Sequence, residues 1–478
     1  MREDTQGTLS RRTLLKAGGF AVTAAATGLA IGGSPAHADD RRPGDYDAVV
    51  VGAGFAGTIA ARELKAQGLR VLLLEARDRI GGRTWTDTFA GQQVEFGGQF
   101  VDTTQPLITA ELRRYGIATV GGLVPARAIM PTPDGPKAFS LTELQNRQGA
   151  LLEKLFAGSA EYFPFPNDPL YRRDLVSRID GLSLRDRLNQ LGLSPADESW
   201  LNGITAGQSG GSSQFGAMTA LTQWWALAGG NVNAWYSAQS HRLETGMSSL
   251  LRAILAEARI DLRLNSPVAA VSDNGGQVRV TTEAGAVFSA RTVVVAVPVN
   301  LWKTIRFTPG LPAVQAIAAG QGVGVRNSRK LWLHVRGVAE PVVVNGAEGD
   351  TFMTVLSHSM VPDGQIMLAL NSLPALDVTN RGEIERAVQR VLPEARLIQH
   401  RAQDWGADRY SLGGWALRRP GQLTAQLPAI QLPHGRLAFA TSDIASGWAG
   451  FVEGAIESGF RAAGQAGGIV HALGHRAG

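Results

Sequence analysis

The fold is decided by residues 45–75, which read DYDAVVVGAGFAGTIAARELKAQGLRVLLLE. After a polar start comes a continuous apolar, β-branched run, which is typical of a strand buried in a parallel sheet. The six residues GAGFAG (52–57) follow at once, and apolar residues then recur at helical spacing until Gly68 ends the pattern. A second apolar strand, residues 70–74, stops at Glu75. This order of strand, glycine turn, helix and strand predicts a Rossmann-like α/β unit.

The glycine turn has the G-x-G-x-x-G spacing of a dinucleotide-binding site. Gly52 permits the tight turn, Gly54 lets the backbone approach a pyrophosphate, and Gly57 lets helix and strand pack closely. The start of the helix, where Ala56 lies, offers free N–H groups and a positive dipole end to the phosphates. Glu75 follows at the tip of the second strand, where a carboxylate can accept both ribose hydroxyls. In a chain with 58 glycines the spacing alone would be weak, but all the parts in this order predict dinucleotide binding.

A second glycine pair follows in ARDRIGGRT (76–84), which would bring more N–H groups and a guanidinium to the same pyrophosphate. The residues of this stretch predicted to contact the cofactor are Ala76, Arg77, Gly82 and Arg83. The alternative is a solvated turn of arginine and aspartate. With the acid in front, the stretch resembles the flavin-containing amine oxidase (monoamine oxidase) family. That resemblance implies FAD, which would be held without a cysteinyl link because the chain contains no cysteine.

The resemblance continues through most of the chain beyond residue 38. EFGGQFV (95–101) is similar to the family's segment beside the flavin ring, which implies contacts from Gly98, Gln99 and Phe100. NSPV (265–268) and TVVVAVP (292–298) resemble the unit that returns to the cofactor domain, where Val268 would supply backbone contacts on the adenine side. Within the family, the pattern resembles that of bacterial nicotine oxidoreductase-type amine oxidases, which also begin with an export signal.

The C-terminal stretch FATSDIASGWAGFVEGAIESG (439–459) resembles the family's last FAD motif. The family usually has Gly-Glu after the Phe-Ala pair, and here Asp443 is the nearest acid that could bond the ribityl chain. A helix beginning near Phe451 and Val452 would point its N-terminus at the N1/C2 edge of the flavin. Such a dipole stabilises the anionic reduced flavin and therefore favours acceptance of a hydride.

The resemblance also implies the domain organisation. A discontinuous FAD-binding domain of the glutathione-reductase type is predicted, Rossmann-like and α/β, formed by residues 45–105, 245–305 and 405–470. The intervening residues are predicted to form an α+β substrate-binding domain above the flavin, and they span 106–244 and 306–404.

The resemblance assigns three residues to the substrate side. In the family two aromatic side chains flank the amine, and a lysine is bonded through water to flavin N5. Trp415 matches the first aromatic position, and Phe451 matches the second, where tyrosine is commoner; without the motifs, both would be ordinary core aromatics. Lys330 opens an apolar strand where the N5-linked lysine is expected. The alternatives are that this lysine caps an edge strand, or that Lys303 takes the role.

Two rival signals are weaker. GQSGG (207–211) satisfies G-x-S-x-G, but a nucleophile elbow needs a hydrophobic strand before it and a helix after it, which the flanking residues do not favour. His471 and His475 have a metal-compatible spacing on a helix. They fall in residues 467–478, which read as a frayed, solvated tail with no acidic partner nearby, so no metal site is predicted.

Residues 1–38 have the three parts of an export signal. SRRTLLK (10–16) is basic with paired arginines, an apolar run over 17–33 is too short and weakly apolar for a span of ~20 residues, and AHA (36–38) fits a cleavage site. Export through the twin-arginine pathway is predicted, to the periplasm or the exterior, with no stable membrane span after signal removal. The alternative is a disordered basic tail.

The net charge of +5 does not indicate nucleic acid, because four cations lie in the leader and the other arginines and lysines are scattered among acids.

These features predict an FAD-dependent amine oxidase that transfers a hydride from the α-carbon of a small, largely apolar amine to flavin N5. The imine or iminium product would hydrolyse, and O2 or an electron-carrier protein would reoxidise the flavin. Amino-acid oxidases of the superfamily hold the substrate carboxylate with an arginine near the flavin, and no arginine closely follows Gly97-Gly98 here. An L-amino-acid oxidase, a C–C desaturase and a non-catalytic flavin-binding protein stay open as alternatives, as does the oligomeric state, a homodimer included.

Overall fold

The computed structural model describes residues 45–475, so the predicted export signal lies outside the described residues. The strands are β1 (Asp45–Val51), β2 (Val71–Leu74), β3 (Thr86–Phe89), β4 (Gln92–Glu95), β5 (Phe100–Val101), β6 (Thr119–Gly121), β7 (Arg127–Met130), β8 (Lys137–Phe139), β9 (His241–Leu243), β10 (Asp261–Arg263), β11 (Val268–Asp273), β12 (Val278–Thr282), β13 (Val287–Val295), β14 (Arg306–Thr308), β15 (Arg329–Arg336), β16 (Val342–Asn345), β17 (Thr354–Val361), β18 (Gly364–Asn371), β19 (Arg396–Asp404) and β20 (Leu437–Phe439). The α-helices are α1 (Phe55–Ala66), α2 (Pro106–Tyr115), α3 (Leu141–Leu155), α4 (Ser159–Tyr162), α5 (Arg173–Ile179), α6 (Leu184–Leu191), α7 (Pro195–Gln208), α8 (Met218–Ala228), α9 (Val232–Ser237), α10 (Met247–Ala258), α11 (Ala313–Gln321), α12 (Arg381–Val391), α13 (Gln422–Gln426) and α14 (Val452–Gly474). Short 3-10 helices cover Val299–Thr304, Ala429–Gln431 and Ser442–Ile444.

The predicted unit of strand, glycine turn, helix and strand is present as β1, α1 and β2. These strands lie in an eight-stranded sheet of order β10-β2-β1-β13-β12-β11-β14, with β20 pairing on β13. The centre of the sheet is parallel, because β1 runs in the same direction as β2 and β13. Val49, Val293 and Val294 are fully buried there, as expected for β-branched residues of a parallel sheet covered on both faces.

Helices α1 and α14 pack closely against each other beside this sheet. The approach depends on Gly459 of α14, where a Cβ atom would lie 2.6 Å from the carbonyl oxygen of Ala56 and 2.9 Å from Cβ of Ile59. The prediction of a frayed tail from residue 467 is wrong, because α14 continues to Gly474. The reason is tertiary packing, since Val470 is buried in the same apolar core as α1.

A second sheet of seven strands has the order β19-β15-β18-β17-β16-β7-β8 and is antiparallel except for the β16–β7 pair. Strand β15, which carries Lys330, lies between β18 and β19. Lys330 is therefore in an interior strand, which excludes the alternative that it caps a sheet edge. Its partners across the ladders are Leu370 and Gln403.

The eight-stranded sheet draws its strands from three separated parts of the chain, residues 45–74, 261–308 and 437–439. Strand β14 belongs to the eight-stranded sheet. It begins just after residue 305, where the second segment of the predicted FAD-binding domain ends. The boundaries between a cofactor domain and a substrate domain stay a prediction. Within residues 45–475, no helix combines the length and the apolar character that crossing a membrane requires.

The contact between α1 and α14 yields a stability prediction. Gly459→Ala should lower the free energy of unfolding by about 1–3 kcal/mol, because the added methyl meets backbone and a β-branched side chain with no room to move. Gly464→Ala, in the same helix, is the matched control: a Cβ there meets nothing within 4 Å, so stability should rise by about 0.5–1 kcal/mol. Urea unfolding of the FAD-loaded protein measures both, and equal values for the two variants would contradict the packing described.

Candidate active site

A cavity of about 560 Å³ opens where the eight-stranded sheet, α1, α14 and the seven-stranded sheet meet. Its volume lies within the ~300–1,000 Å³ usual for ligand and cofactor sites. The predicted site residues that line it are Gly52, Gly54, Ala56, Glu75, Ala76, Arg77, Gly82, Arg83, Gly98, Gln99, Phe100, Val268, Lys330, Trp415, Phe451 and Val452. Two predicted residues, Gly57 and Asp443, do not line it. The sequence therefore located residues that the fold brings together from distant parts of the chain.

The turn between β1 and α1 forms one end of the cavity. Gly52 has φ +107°, which favours glycine, and a Cβ there would lie 2.9 Å from the carbonyl oxygen of Ala296. At Gly57 a Cβ would lie 1.9 Å from the carbonyl oxygen of Gly52, so this glycine permits packing between helix and turn. At Gly54 a Cβ would meet only the carbonyl oxygen of Gly81, at 3.8 Å, so the space beside it is open to a ligand.

The helix that follows the turn points its N-terminus at this open space. Gly54 is the N-cap of α1, and no side chain in the described part of the chain caps it. The first N–H groups of α1 are therefore free to bind an anion, with the helix dipole adding to the attraction. A cradle of open glycine backbone with a free helix N-terminus fits a pyrophosphate.

Glu75 lies at the tip of β2, buried, with its carboxylate on the cavity. Its Oε2 accepts a hydrogen bond from the backbone N–H of Ala53 at 2.8 Å, and its Oε1 accepts one from that of Arg77 at 2.9 Å. These bonds fix the carboxylate, and each oxygen keeps a second lone pair. The group can thus accept the two hydroxyls of a ribose, as the sequence predicts.

The partly buried Arg83 and the buried Asp443 form an ion pair at the cavity wall. Nη2 of Arg83 lies 2.6 Å from Oδ1 of Asp443, and its Nη1 donates to the carbonyl oxygen of Gly414 at 2.8 Å. The other oxygen of Asp443 accepts from the backbone N–H of Val299 at 2.9 Å. Asp443 was expected to bond the ribityl chain of the cofactor. Asp443 does not line the cavity, and through its bond to Arg83 it fixes the guanidinium that faces the cavity; its contact with the ribityl chain stays a prediction.

The other arginines of the lining are paired as well. Within residues 45–475, Arg77 lies 2.6 Å from a carboxylate oxygen of Asp408, and Arg409 lies 2.7 Å from one of Glu283. With the pair at Arg83, every arginine on the cavity of the described chain thus has a carboxylate partner. The cavity therefore offers no unpaired guanidinium to a carboxylate ligand.

Lys330 reaches the cavity from β15 and is almost completely buried. Its Nζ donates to the carbonyl oxygen of Gly97 at 2.8 Å and to Oε1 of Gln99 at 2.6 Å. Burial lowers the pKa of Lys330 to about 7, and the nearby Glu95 carboxylate opposes that shift. Lys303, the competing lysine, is exposed and lines a different pocket, so it does not face this cavity.

Aromatic side chains form another part of the cavity wall. The indole of Trp415 donates from Nε1 to the carbonyl oxygen of Gln208 at 2.9 Å, which fixes its ring. Phe451 packs edge-on against Trp224, with ring centroids 4.9 Å apart, and against Trp448 at 4.8 Å. The remaining apolar lining of this part comes from Phe100, Met353, Leu368 and Leu370.

Trp224 is a lining residue that the sequence did not assign to the site. The sequence shows it within a cluster of aromatics on α8 and α9, but it gives no sign of which ring faces a cavity. Trp225, its neighbour, instead stacks on Phe156 in the core. The spacing of a buried helix cannot separate these two roles, because both faces of α8 are apolar.

The two rival motifs have structural roles. Ser209 follows α7, a helix rather than a strand, and its hydroxyl donates to the carbonyl oxygen of Thr205 at 2.6 Å. The strand–turn–helix of a nucleophile elbow is therefore missing at this serine. His471 lies inside α14, where its Nδ1 contacts the carbonyl oxygen of Gly467 at 2.7 Å.

Comparison with known proteins gives the chain its family. The model of the flavin containing amine oxidoreductase family matches residues 55–466, so the chain belongs to that family. It is 33% identical over 470 residues to a pseudooxynicotine dehydrogenase of Pseudomonas sp, covering 94% of each chain. It is 34% identical over 424 residues to a nicotine dehydrogenase of Pseudomonas putida, covering 87% of each. A solved putrescine oxidase structure has the same fold, with a TM-score of 0.76 at 23% identity, over 89% of this chain and 99% of that one.

The chain is therefore a flavin-dependent amine oxidoreductase, and FAD is its cofactor. The site fits that cofactor at both ends. The open glycine turn and the free N-terminus of α1 suit a pyrophosphate, and Glu75 suits a ribose. At the other end, the N-terminus of α14 also has no side-chain cap among the described residues, and Val452 brings it to the cavity.

The glycine turn yields a binding prediction. Gly54→Ala should lower the free energy of unfolding of the FAD-free protein by no more than about 1 kcal/mol, because the methyl meets no close neighbour in the chain and the remaining cost is that of alanine at an N-cap. It should reduce bound FAD strongly, because the methyl fills the space beside the helix N-terminus. Gly57→Ala is the contrasting variant, and it should lose both stability and FAD through its clash with the carbonyl of Gly52. Flavin absorbance per protein and urea unfolding measure the two effects; full FAD retention by Gly54→Ala would contradict this site.

Proposed function

We propose that the chain oxidises a small, largely apolar amine that carries no carboxylate. The observation that carries this proposal is the set of arginines that line the cavity: each is held by a carboxylate of the chain, and two of the three, Arg77 and Arg83, belong to the predicted cofactor site, so none is left for a substrate carboxylate. The apolar wall around Trp415 and Phe451 points the same way. These features disfavour an amino acid as the substrate, which was the main alternative.

The relatives support an amine of this kind. Two of them, at 33% and 34% identity, are named for pseudooxynicotine and nicotine. Both names denote amines without a carboxylate. We therefore include both compounds among the candidate substrates, beside simple alkylamines and arylalkylamines.

The chain's residues prepare the amine for oxidation. Trp415 and Phe451 form a poorly hydrated slot, which lowers the pKa of a bound amine by disfavouring its charged form. An uncharged amine has the lone pair that must enter the new C=N bond as the α-hydrogen leaves. FAD, when bound, supplies the acceptor for that hydride at N5. The imine or iminium product then hydrolyses in water to a carbonyl compound.

Lys330 has a place in this scheme because of its hydrogen bonds. Two donors of Nζ bind Gly97 and Gln99, which leaves its third position for a water molecule or for the cofactor edge. With a pKa of about 7, this amine changes charge near neutral pH and can hold or release a proton at Nζ.

An anaerobic panel of amines and amino acids tests the proposed function. Bleaching of the flavin band by apolar amines, with no bleaching by the matching α-amino acids, is the expected result. Bleaching of the flavin band by the amino acids would contradict the proposal. So would a flavin band that no amine of the panel bleaches. Admission of O2 or of an electron-carrier protein to the reduced sample then shows which acceptor restores the band; we propose that one of these two serves.

The role of Lys330 can be tested by a matched pair of lysine variants. Lys330→Met should slow flavin reduction by the best amine about 100-fold, because it removes the proton-handling group while keeping the length of the side chain. Lys303→Met removes a lysine outside the cavity, so the flavin of this variant should be reduced at the wild-type rate. Stopped-flow absorbance measures both rates, with bound FAD as the check on assembly. Equal rates for Lys330→Met and wild type would show that this lysine takes no part in the reaction.

We also propose that residues 1–38 direct export through the twin-arginine pathway, to the periplasm or the exterior. The paired Arg11 and Arg12, the apolar run and the AHA site support this. Replacement of both arginines by lysine should retain the protein in the cytoplasm, whereas the same change at Arg41 and Arg42, beyond the cleavage site, should not. Cell fractionation measures the outcome, and export of the Arg11→Lys, Arg12→Lys variant at the wild-type level would contradict the proposal.

A further inference from the structure

Glu95 is a buried carboxylate that the scheme above does not use. It ends β4, is 5% exposed, and accepts through Oε1 from the hydroxyl of Thr86 at 2.6 Å and from the backbone N–H of Met247 at 2.7 Å. Its Oε2 is buried with no hydrogen-bond partner among residues 45–475. A buried carboxylate oxygen of this kind is costly and calls for an explanation.

The position of Glu95 relative to Lys330 supplies one. Residues 95–99 form a single short segment, and both oxygens that accept from Nζ of Lys330 lie in it, on Gly97 and Gln99. The backbone of the same segment is held from β15, because Nε1 of Trp332 donates to the carbonyl oxygen of Glu95 at 3.1 Å. The carboxylate and the lysine are thus parts of one buried cluster.

Other titratable and charged side chains around this cluster include His358, which is neutral near pH 7, and Arg401, which has its own carboxylate partner. His358, which packs on Trp332, has its pKa lowered to about 4 by burial, with Arg242 and Lys330 adding to the shift, so it is neutral near pH 7. Arg401 lies over Phe96 and pairs with Asp87. Glu95 is the carboxylate whose charge acts on Lys330 within the described chain.

We propose that Glu95 is a positioning residue that sets the charge of Lys330 beside the flavin. Its Oε2 accepts no hydrogen bond among residues 45–475, and the buried ammonium group of Lys330 binds the same segment two residues away, at the carbonyl oxygen of Gly97. The proposal rests on the proposed role of Lys330 in flavin reduction, but the charge relation itself exists without turnover. Glu95 acts through Lys330 and does not line the cavity.

The direction of the effect follows from electrostatics. Burial raises the pKa of Glu95 and lowers that of Lys330, because it disfavours the charged form of each. The attraction between the two opposite charges acts against burial and favours the charged form of both. An ionised Glu95 keeps Lys330 protonated to a higher pH. Glu95→Gln keeps an oxygen for Thr86 and Met247 but removes the charge, so Lys330 should lose its proton at a lower pH.

The experiment is a pH titration of the visible spectrum of the oxidised, FAD-loaded protein without any amine. A change of charge at Lys330 beside the flavin should appear as a spectral step across the neutral range in the wild type. Glu95→Gln should move the midpoint down by about one pH unit. In a Lys330→Met background neither protein should show the step.

Glu453→Gln is the matched control. Glu453 is equally buried, and its carboxylate also accepts backbone N–H groups, from Leu107 at 2.9 Å and Ile108 at 2.7 Å. Burial raises its pKa too, but it belongs to a different cluster on α14. Its removal should leave the midpoint at the wild-type position. An equal shift in Glu453→Gln would overturn the proposal.

Further outcomes decide the matter. An unmoved midpoint in Glu95→Gln, a wild-type spectrum without a step, or the same step in the Lys330→Met background would each overturn the proposal.

Thr86→Val is a second variant in case Glu95→Gln does not retain FAD. It removes one donor from Oε1, which disfavours the ionised carboxylate, so the midpoint should again fall, by less than in Glu95→Gln. Because no amine is present, these results do not depend on whether the proposed substrate class is correct.

Discussion

The structure depends on the parallel pairing of β13 with two strands that are distant in the chain. Val295 of β13 is in register with Val51 of β1 on one side and with Phe439 of β20 on the other. The three strands therefore end at one edge of the sheet, where ligands of open α/β sheets bind. The glycine turn, residues 296–298 and the C-terminal motif all begin at that edge, and together they form the cofactor end of the cavity.

The substrate end of the cavity depends on a second constraint, the interior position of β15. The neighbouring strands β18 and β19 hold Lys330 in register, and burial makes the charged form of this lysine unfavourable. The segment 95–99 offsets part of the cost with two acceptors and the charge of Glu95. As a result, Lys330 has a pKa of about 7 and can change charge near neutral pH. This property is expected of residues that move protons.

Much of the cofactor end was readable from the sequence because its signals are local. A strand, a glycine turn and a helix are adjacent in the chain, and the roles of Gly52 and Gly54 follow from spacing and backbone sterics. The placement of Lys330 and Trp415 at the same cavity came from family resemblance, and the fold brings both to it. The length of α14 was misjudged, because glycines weaken a helix by propensity, while packing against α1 outweighs that preference.

Features set by long-range pairing were beyond the sequence. Asp443 was named as a ligand of the cofactor because it is the acid nearest the motif, and nothing in the sequence indicated its partner Arg83, which lies 360 residues away. Trp224 and Glu95 carried no signal that separates a cavity residue from a core residue. In each case the deciding neighbour comes from another strand or helix, and only the folded arrangement identifies it.

An experimental structure of the chain with FAD bound tests the central claim most directly. The account predicts the pyrophosphate beside Gly54 and the N-terminus of α1, with the flavin ring between Lys330 and the wall formed by Trp415 and Phe451. Nζ of Lys330 should lie within reach of flavin N5 directly or through one water molecule. A flavin ring outside this cavity, or one facing away from Lys330, would contradict it.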